Sequence, residues 1–387
     1  MVFDLDAVLA QKKSAGLYRR RRVLESAQGA RVVIDGRELL NFCSNDYLGL
    51  AADPRLTAAL QDAAARFGVG SGASHLVCGH SSQHHALEEE LAEFTGRARV
   101  LLFSTGYMAN TGIVQALAGK GDAVFEDDLN HASLIDGGRL ARAEYLRYRH
   151  GDVADLKEKL RHSNAERKLV VSDGVFSMDG DLAPLPELAR LAREHDAWLM
   201  VDDAHGFGVL GENGGGVAEE FGLDGAALPV LVGTLGKAFG TFGAFVAGSD
   251  TLIDYLVNSA RSYIFTTALP PALAAATRAS LRIVRGEPER RAHLRALIAH
   301  FRREAALLEL DLMASTVPIQ PVVLGGNARA LAWSAALQER GLLVGAIRPP
   351  TVPAGTARLR ITFTATHTRD DVDRLLEALA HCQRELA

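Results

Sequence analysis

"AWLMVDDAHGFGVLG", Ala197 to Gly211, is an apolar run that stops at two aspartates and then breaks into glycine. A run with no polar alternation is a strand buried on both faces, as in a parallel sheet covered by helices. The same signature recurs in "RVLLF" (99–103), "KLVVSD" (168–173), "PVLVGT" (229–234) and "GAFVAG" (243–248). Amphipathic helical stretches such as "TGIVQALAG" and "LPELARLAREH" separate them. This alternation predicts an α/β fold with a mostly parallel sheet. Ligands in such sheets sit beyond the carboxyl ends of the strands. Asp202, and His205 three residues on, stand at such an end.

The 387 residues exceed one ordinary core and predict two packed domains. Residues 287–310, "EPERRAHLRALIAHFRREAALLEL", read as one long charged helix between them. The expected organisation is an N-terminal arm (1–45), a large domain (46–286) and a smaller α/β C-terminal domain (287–387). In the last part "PIQPVVLG" and "RLRITFTA" read as strands, and Thr368 with Asp371 as a capping box for the final helix. A net charge of −5 gives no general reason to expect nucleic acid or a membrane surface as partner. The longest apolar stretch, 228–248, holds Lys237 and several glycines and does not suit a membrane span. Cys43, Cys78 and Cys382 are odd in number and far apart, which gives no disulfide framework and no paired zinc spacing. With an N-terminus lacking an apolar core, this predicts a cytoplasmic protein without a structural metal.

Lys237 stands in "GTLGKAFG" (233–240), a glycine-rich turn just after a buried strand, with no carboxylate beside it in sequence. Burial there would lower its pKa and supply the neutral amine that Schiff-base formation with an aldehyde requires. The alternative is a loop lysine with its head in water. Asp202 can hold a proton on a pyridine nitrogen, and His205 can reach a phenolic oxygen on the same ring. The alternative is a capping aspartate and a surface histidine. In "FSTGYMANTGIV" the backbone N–H groups of Gly106 and Tyr107 open a helix, where a phosphate is favoured. Thr234 offers a hydroxyl to the same phosphate. His131 in "LNHASLIDG" can stack on a flat ring or simply start a helix, and Ser177 in "GVFSMDGD" can bond the ring oxygen or merely form a turn. Taken together, these groups describe one ligand, pyridoxal 5′-phosphate.

The order of phosphate turn, stacking histidine, aspartate and lysine resembles the fold-type I, aspartate aminotransferase-like enzymes. Within them the chain is similar to the α-oxoamine synthases along nearly its whole length. The stretches that carry the resemblance include "NFCSNDYLGLA", "GSGASHLVCGHSSQHHALEEELAEF", "VDDAHGFGVLG", "GTLGKAFG", "IFTTALPPA" and "RPPTVPAGTARLRITFTATHT". The resemblance implies Lys237 as the Schiff-base lysine, Asp202 on the pyridinium nitrogen, and His205 with Ser177 on the ring oxygen. It implies His131 stacked on the ring and helping to position substrate. Gly106, Tyr107 and Thr234 would bind phosphate, with Thr267 reaching it across a homodimer interface. Arg19, Asn45, Arg348 and Thr351 would lie near substrate, and Arg360 would clamp the amino-acid carboxylate. Without the resemblance Arg360 reads as a surface strand arginine. "RPPTVP" most resembles the branch that joins L-alanine to a pimeloyl thioester, carried as pimeloyl-CoA or pimeloyl-ACP, with loss of carbon dioxide. "GSGASH" departs from relatives that carry a second glycine and an arginine there, which weighs against the aminolevulinate and aminobutyrate branches. The basic run Tyr18–Arg22 is a candidate receiver for the polyanionic acyl carrier, or a solvated face. Two other readings remain: a sibling such as 2-amino-3-ketobutyrate CoA ligase, and a non-catalytic nucleotide-binding Rossmann-like protein. For the latter, "GVGSGAS" follows no convincing strand.

Overall fold

A computed structural model describes residues 4–19 and 21–386. Thirteen strands occur among them. They are β1 (Arg31–Ile34), β2 (Arg37–Asn41), β3 (Arg99–Phe103), β4 (Ala123–Asp127), β5 (Glu144–Tyr148), β6 (Lys168–Asp173) and β7 (Ala197–Asp202). The chain continues with β8 (Val230–Thr234), β9 (Ala244–Gly248), β10 (Ile319–Gly325), β11 (Leu342–Leu343), β12 (Gly345–Ile347) and β13 (Ala357–Thr362). Seven of them form one sheet in the order β3-β9-β8-β7-β6-β4-β5. The five strands from β8 to β5 run parallel, while β9 is antiparallel to both of its neighbours.

Alternate residues of these strands go to opposite faces, and each face meets its own apolar cluster. Leu102, Phe125, Val170, Leu199 and Leu231 enter one cluster. Leu101, Val124, Val171, Met200 and Val232 enter the other. Both clusters are completed by helices, which is why the strands carry no polar alternation. The first cluster runs on without a break into Leu294, Phe301, Trp333, Leu359 and Leu379 of the C-terminal region.

The helix Pro271–Gly286 ends and Pro288–Leu307 follows after a single residue, Glu287. Proline is tolerated at a first helical position but cannot continue a preceding helix, so Pro288 forces the break. β10, β13 and β12 form an antiparallel sheet in the C-terminal region, and β1, β2 and β11 a second small one. The closing helix Arg369–Glu385 begins with the expected capping box: Thr368 takes the Asp371 N–H, and Asp371 takes that of Thr368. No helix among the described residues is long and apolar enough to cross a membrane. All three cysteines are unpaired.

The turn between β8 and β9 carries Lys237. Gly240 in that turn has φ +64°, and a Cβ there would run into the backbone of Leu50 and Ala51. Replacing it by alanine therefore strains the backbone and the packing together. We expect Gly240→Ala to lower unfolding stability by about 1–3 kcal/mol, measured by denaturant titration of the purified protein. An unchanged midpoint would show that the turn can move aside.

Candidate active site

Parallel register builds the site. β6 and β7 pair Asp173 with Asp202, so two strand ends deliver carboxylates side by side. β8 ends one strand further on at Thr234, and Lys237 follows in the turn. β4 ends at Asp127, and its connection leads to His131, which caps the helix Ala132–Leu140. β3 leads into the helix Gly106–Leu117. All these carboxyl ends face one cavity of about 200 Å³. Gly106, Tyr107, His131, Ser177, Asp202, His205, Thr234 and Lys237 line it together with Ser133, Asp173 and Ala204.

Lys237 is half-buried, and its Nζ lies 2.8 Å from His205 Nε2. Burial pushes its pKa down from 10.5 to about 8, against the opposing pull of Asp202 and Asp173. His205 is held well below its ordinary pKa, first by burial and then by the charges of Lys237 and Arg360. Its other nitrogen meets the Tyr47 hydroxyl at 2.5 Å. Burial raises that phenol to about 12, so it stays a hydroxyl at neutral pH. The Tyr47 hydroxyl also donates to Asn45 Oδ1 at 3.4 Å. Asn45 Oδ1 accepts from both terminal nitrogens of Arg360, at 3.2 and 3.3 Å. Arg360 Nε donates to the Ser177 carbonyl at 2.7 Å. A continuous polar chain thus runs from Lys237 to Arg360, which is only 8% exposed and not a surface arginine.

Asp202 accepts the Ala204 N–H on Oδ1 at 2.9 Å and the Asn110 amide on Oδ2 at 2.6 Å. Next to it Asp203 points into the glycine-rich loop and takes the Val217 N–H at 2.8 Å. A Cβ on Gly206 or Gly216 would collide with that carboxylate, which explains the glycines around His205. Burial pushes both Asp173 and Asp203 well above the usual carboxyl range. His131 is lowered, mainly by burial.

The donor set fits pyridoxal 5′-phosphate. An amine, a carboxylate and two imidazoles share the cavity with a helix N-terminus. Thr105 caps that helix by accepting the Met108 N–H, and Gly106 and Tyr107 open it at the cavity wall. Beyond its own helix, a Cβ on Gly106 would meet no atom of the described residues within 4 Å, so the glycine keeps open space where the helix dipole favours an anion. The Thr234 hydroxyl lies at the same wall and donates to the Gly243 carbonyl at 3.1 Å. Nothing in the set requires a metal.

The class I and II aminotransferase family matches residues 37–379, nearly the whole chain. The chain belongs to that family. It is 65% identical over 380 residues, 98% of both chains, to 8-amino-7-oxononanoate synthase of Methylococcus capsulatus. Among solved structures, serine palmitoyltransferase of Sphingomonas wittichii overlays with a TM-score of 0.94 at 35% identity, covering 99% of this chain and 98% of that one. The 8-amino-7-oxononanoate synthase of Francisella tularensis overlays at 0.78 and 31% identity, covering 90% of this chain and 99% of that one. The fold is the fold-type I architecture of pyridoxal phosphate enzymes, and the cofactor is pyridoxal 5′-phosphate.

The remaining expected residues lie elsewhere. Arg19, Arg348 and Thr351 line a separate cleft of about 760 Å³ with Lys12 and Tyr18. It opens between the helix Leu5–Ser14 and the "RPPT" segment, and Arg348 donates to the Gly16 carbonyl across it. Arg20 of the basic run lies outside the described residues. Thr267 is not at the cavity wall; its carbonyl accepts from the Ser104 hydroxyl, next to the phosphate turn. Sequence reading passed over Tyr47, Asn110, Ser133, Asp173 and Asp203. Asn110 had a signal, because it stands one helical turn after Gly106 and so shares its face.

The lowered amine has a direct consequence. A lysine reacts with an aldehyde as the neutral amine, so capture should switch on as pH rises through its pKa. Titrating the metal-free, cofactor-free protein with pyridoxal 5′-phosphate should give a visible absorbance change half-complete near pH 8, against 10.5 for an ordinary lysine. A midpoint near the ordinary value would contradict the burial argument.

Proposed function

We propose that the chain condenses L-alanine with a pimeloyl thioester to give 8-amino-7-oxononanoate, carbon dioxide and free thiol, a step of biotin biosynthesis. The observation that carries this reading is the 65% full-length identity to an 8-amino-7-oxononanoate synthase, in a chain whose strand ends gather Lys237, Asp202, His205 and His131 at one cavity. The acyl donor is CoA-linked or carried on acyl-carrier protein. Both are polyanionic, and the cleft with Lys12, Arg19 and Arg348 offers the complementary charge.

Bound pyridoxal 5′-phosphate supplies the electron sink that makes the α-carbon of an amino acid acidic. Asp202 would hold the proton on the ring nitrogen that this sink needs. His205 and Ser177 would bond the phenolic oxygen, and Tyr47 holds the His205 ring from behind. Gly106, Tyr107 and Thr234 would hold the phosphate, with Thr267 reaching it across a homodimer interface. Lys237 would hold the aldehyde through Nζ, and as a free amine the same atom is the base for the alanine α-proton. Its pKa of about 8 lies near neutral pH, where a base both accepts and returns a proton efficiently. His131 would stack on the ring and help to orient the incoming acyl group. Arg360 and Asn45 receive the alanine carboxylate before its loss. Exposed Leu5, Val8 and Leu9 on the N-terminal helix, and Phe265 beside Thr267, support a homodimer by offering apolar surface to a second copy. The expected location is the cytoplasm.

The overlay with serine palmitoyltransferase keeps open a sibling that uses another amino acid. At 35% identity it supports the fold and cofactor more than the substrate.

Thiol release from pimeloyl-CoA should require L-alanine and be at background with glycine or serine. Efficient turnover with glycine would favour a ligase of the 2-amino-3-ketobutyrate type. Lys237→Ala should keep its melting temperature yet lose turnover by about a hundredfold to ten-thousandfold. Arg360→Lys loses the two-pronged fork and should raise the KM for alanine by about tenfold, with a smaller change in kcat; an unchanged KM would remove Arg360 from the carboxylate site.

A further inference from the structure

Asn110 is 1% exposed and sits one turn into the helix that begins the phosphate turn. Its Nδ2 donates to Asp202 Oδ2 at 2.6 Å and to Ser133 Oγ at 2.9 Å. The amide cannot be turned round, because that would set its carbonyl oxygen against the Asp202 carboxylate. Both amide protons are therefore committed. Ser133 Oγ accepts one of them and lies 2.7 Å from His131 Nδ1, which already accepts the Ser133 backbone N–H, so the hydroxyl proton goes to that nitrogen. The Ser133 N–H is aimed at the same nitrogen at 3.3 Å. With two donors on Nδ1, the proton of the neutral ring must sit on Nε2. Asn110 Oδ1 is buried and has no partner among the described residues. Leucine, of similar shape, would fill that space without an unsatisfied carbonyl. Packing alone does not account for an amide there.

We propose that Asn110 and Ser133 are positioning residues: the amide orients the Asp202 carboxylate toward the cofactor ring nitrogen, and the hydroxyl fixes His131 in its Nε2–H form. This rests on the cofactor role given to Asp202 above. Donation to both oxygens of Asp202, from Asn110 and from Ala204, leaves the carboxylate one orientation. The groups that bear on the His131 ring are Asp202 at the end of β7, Lys237 and His205; Asp173 at the end of β6 accepts the His131 backbone N–H at 2.8 Å. None of them replaces the Ser133 hydroxyl on Nδ1. As a donor that hydroxyl favours the neutral ring, so removing it raises the pH at which the ring takes a second proton.

Two variants test this. Asn110→Leu should lower the melting temperature of the cofactor-free protein somewhat, because Asp202 Oδ2 and Ser133 Oγ lose their donor, while the dissociation constant for pyridoxal 5′-phosphate rises on the order of tenfold. Ser133→Ala deletes one atom from a buried helix and carries the test alone if Asn110→Leu does not fold. It should move the acid limb of kcat/KM upward by roughly half to one pH unit, with the cofactor affinity changed much less. Wild-type affinity in Asn110→Leu, or an unmoved acid limb in Ser133→Ala, overturns the corresponding role. A wild-type protein that binds no pyridoxal 5′-phosphate overturns the cofactor reading itself, and this inference with it.

Discussion

One amine removed from water sets the terms for the site. Lys237 lies against His205 at 2.8 Å where the parallel sheet ends, with three carboxylates within electrostatic reach. Those carboxylates favour the ammonium form, and burial opposes it; burial wins, but only by enough to bring the amine to about 8. A lysine buried without Asp202 would fall further. One exposed to water would stay protonated and inert. The surrounding acids act as a trim on the amine, and their number matters as much as their identity.

The trim depends on strand register. Asp173 and Asp202 are paired partners on adjacent parallel strands, and a slip of one residue would turn either carboxylate to the other face of the sheet. The opposite wall comes from the C-terminal region. Arg358 and Arg360 alternate on β13, so they share a face, and both grip the same turn: Arg358 pairs with Asp179, and Arg360 with the Ser177 carbonyl. His150 holds that turn from its other side through Asp181, while also bonding Asp127 at the end of β4. The turn with Ser177 is therefore held from two sides, by β13 of the antiparallel C-terminal sheet and by His150, itself tied to the end of β4.

Much of this could be read from the chain alone. Apolar runs ending in Asp202, Asp173 and Thr234 predicted where the strands stop, because a strand buried on both faces tolerates no polar residue before its end. Lys237 was visible for the same reason: a charge in an apolar, glycine-rich turn demands an explanation. Asn110, Ser133 and Tyr47 were not visible in that way. They are ordinary polar residues whose meaning comes from partners 92, 23 and 158 positions apart in sequence. Nor does local pattern tell that β9 runs against its neighbours, since an antiparallel strand buried on both faces reads like a parallel one. Arg360 looked like a surface residue on strand period alone, and only the resemblance brought it to the site.

The reversal of β9 has a mechanical result. Because β8 and β9 are adjacent and antiparallel, the segment that bears Lys237 is a closed bracket pinned at both feet. Leu235 N–H bonds the Gly243 carbonyl, Thr241 N–H and its hydroxyl both bond the Leu235 carbonyl, and Gly240 N–H bonds that of Lys237 itself. The backbone of the lysine is thus a fixed post. Any travel of Nζ between its successive partners comes from rotation within the four-carbon stem, among its staggered states. The amine swings as a boom on a rigid mast, and its arc is limited by the length of that stem.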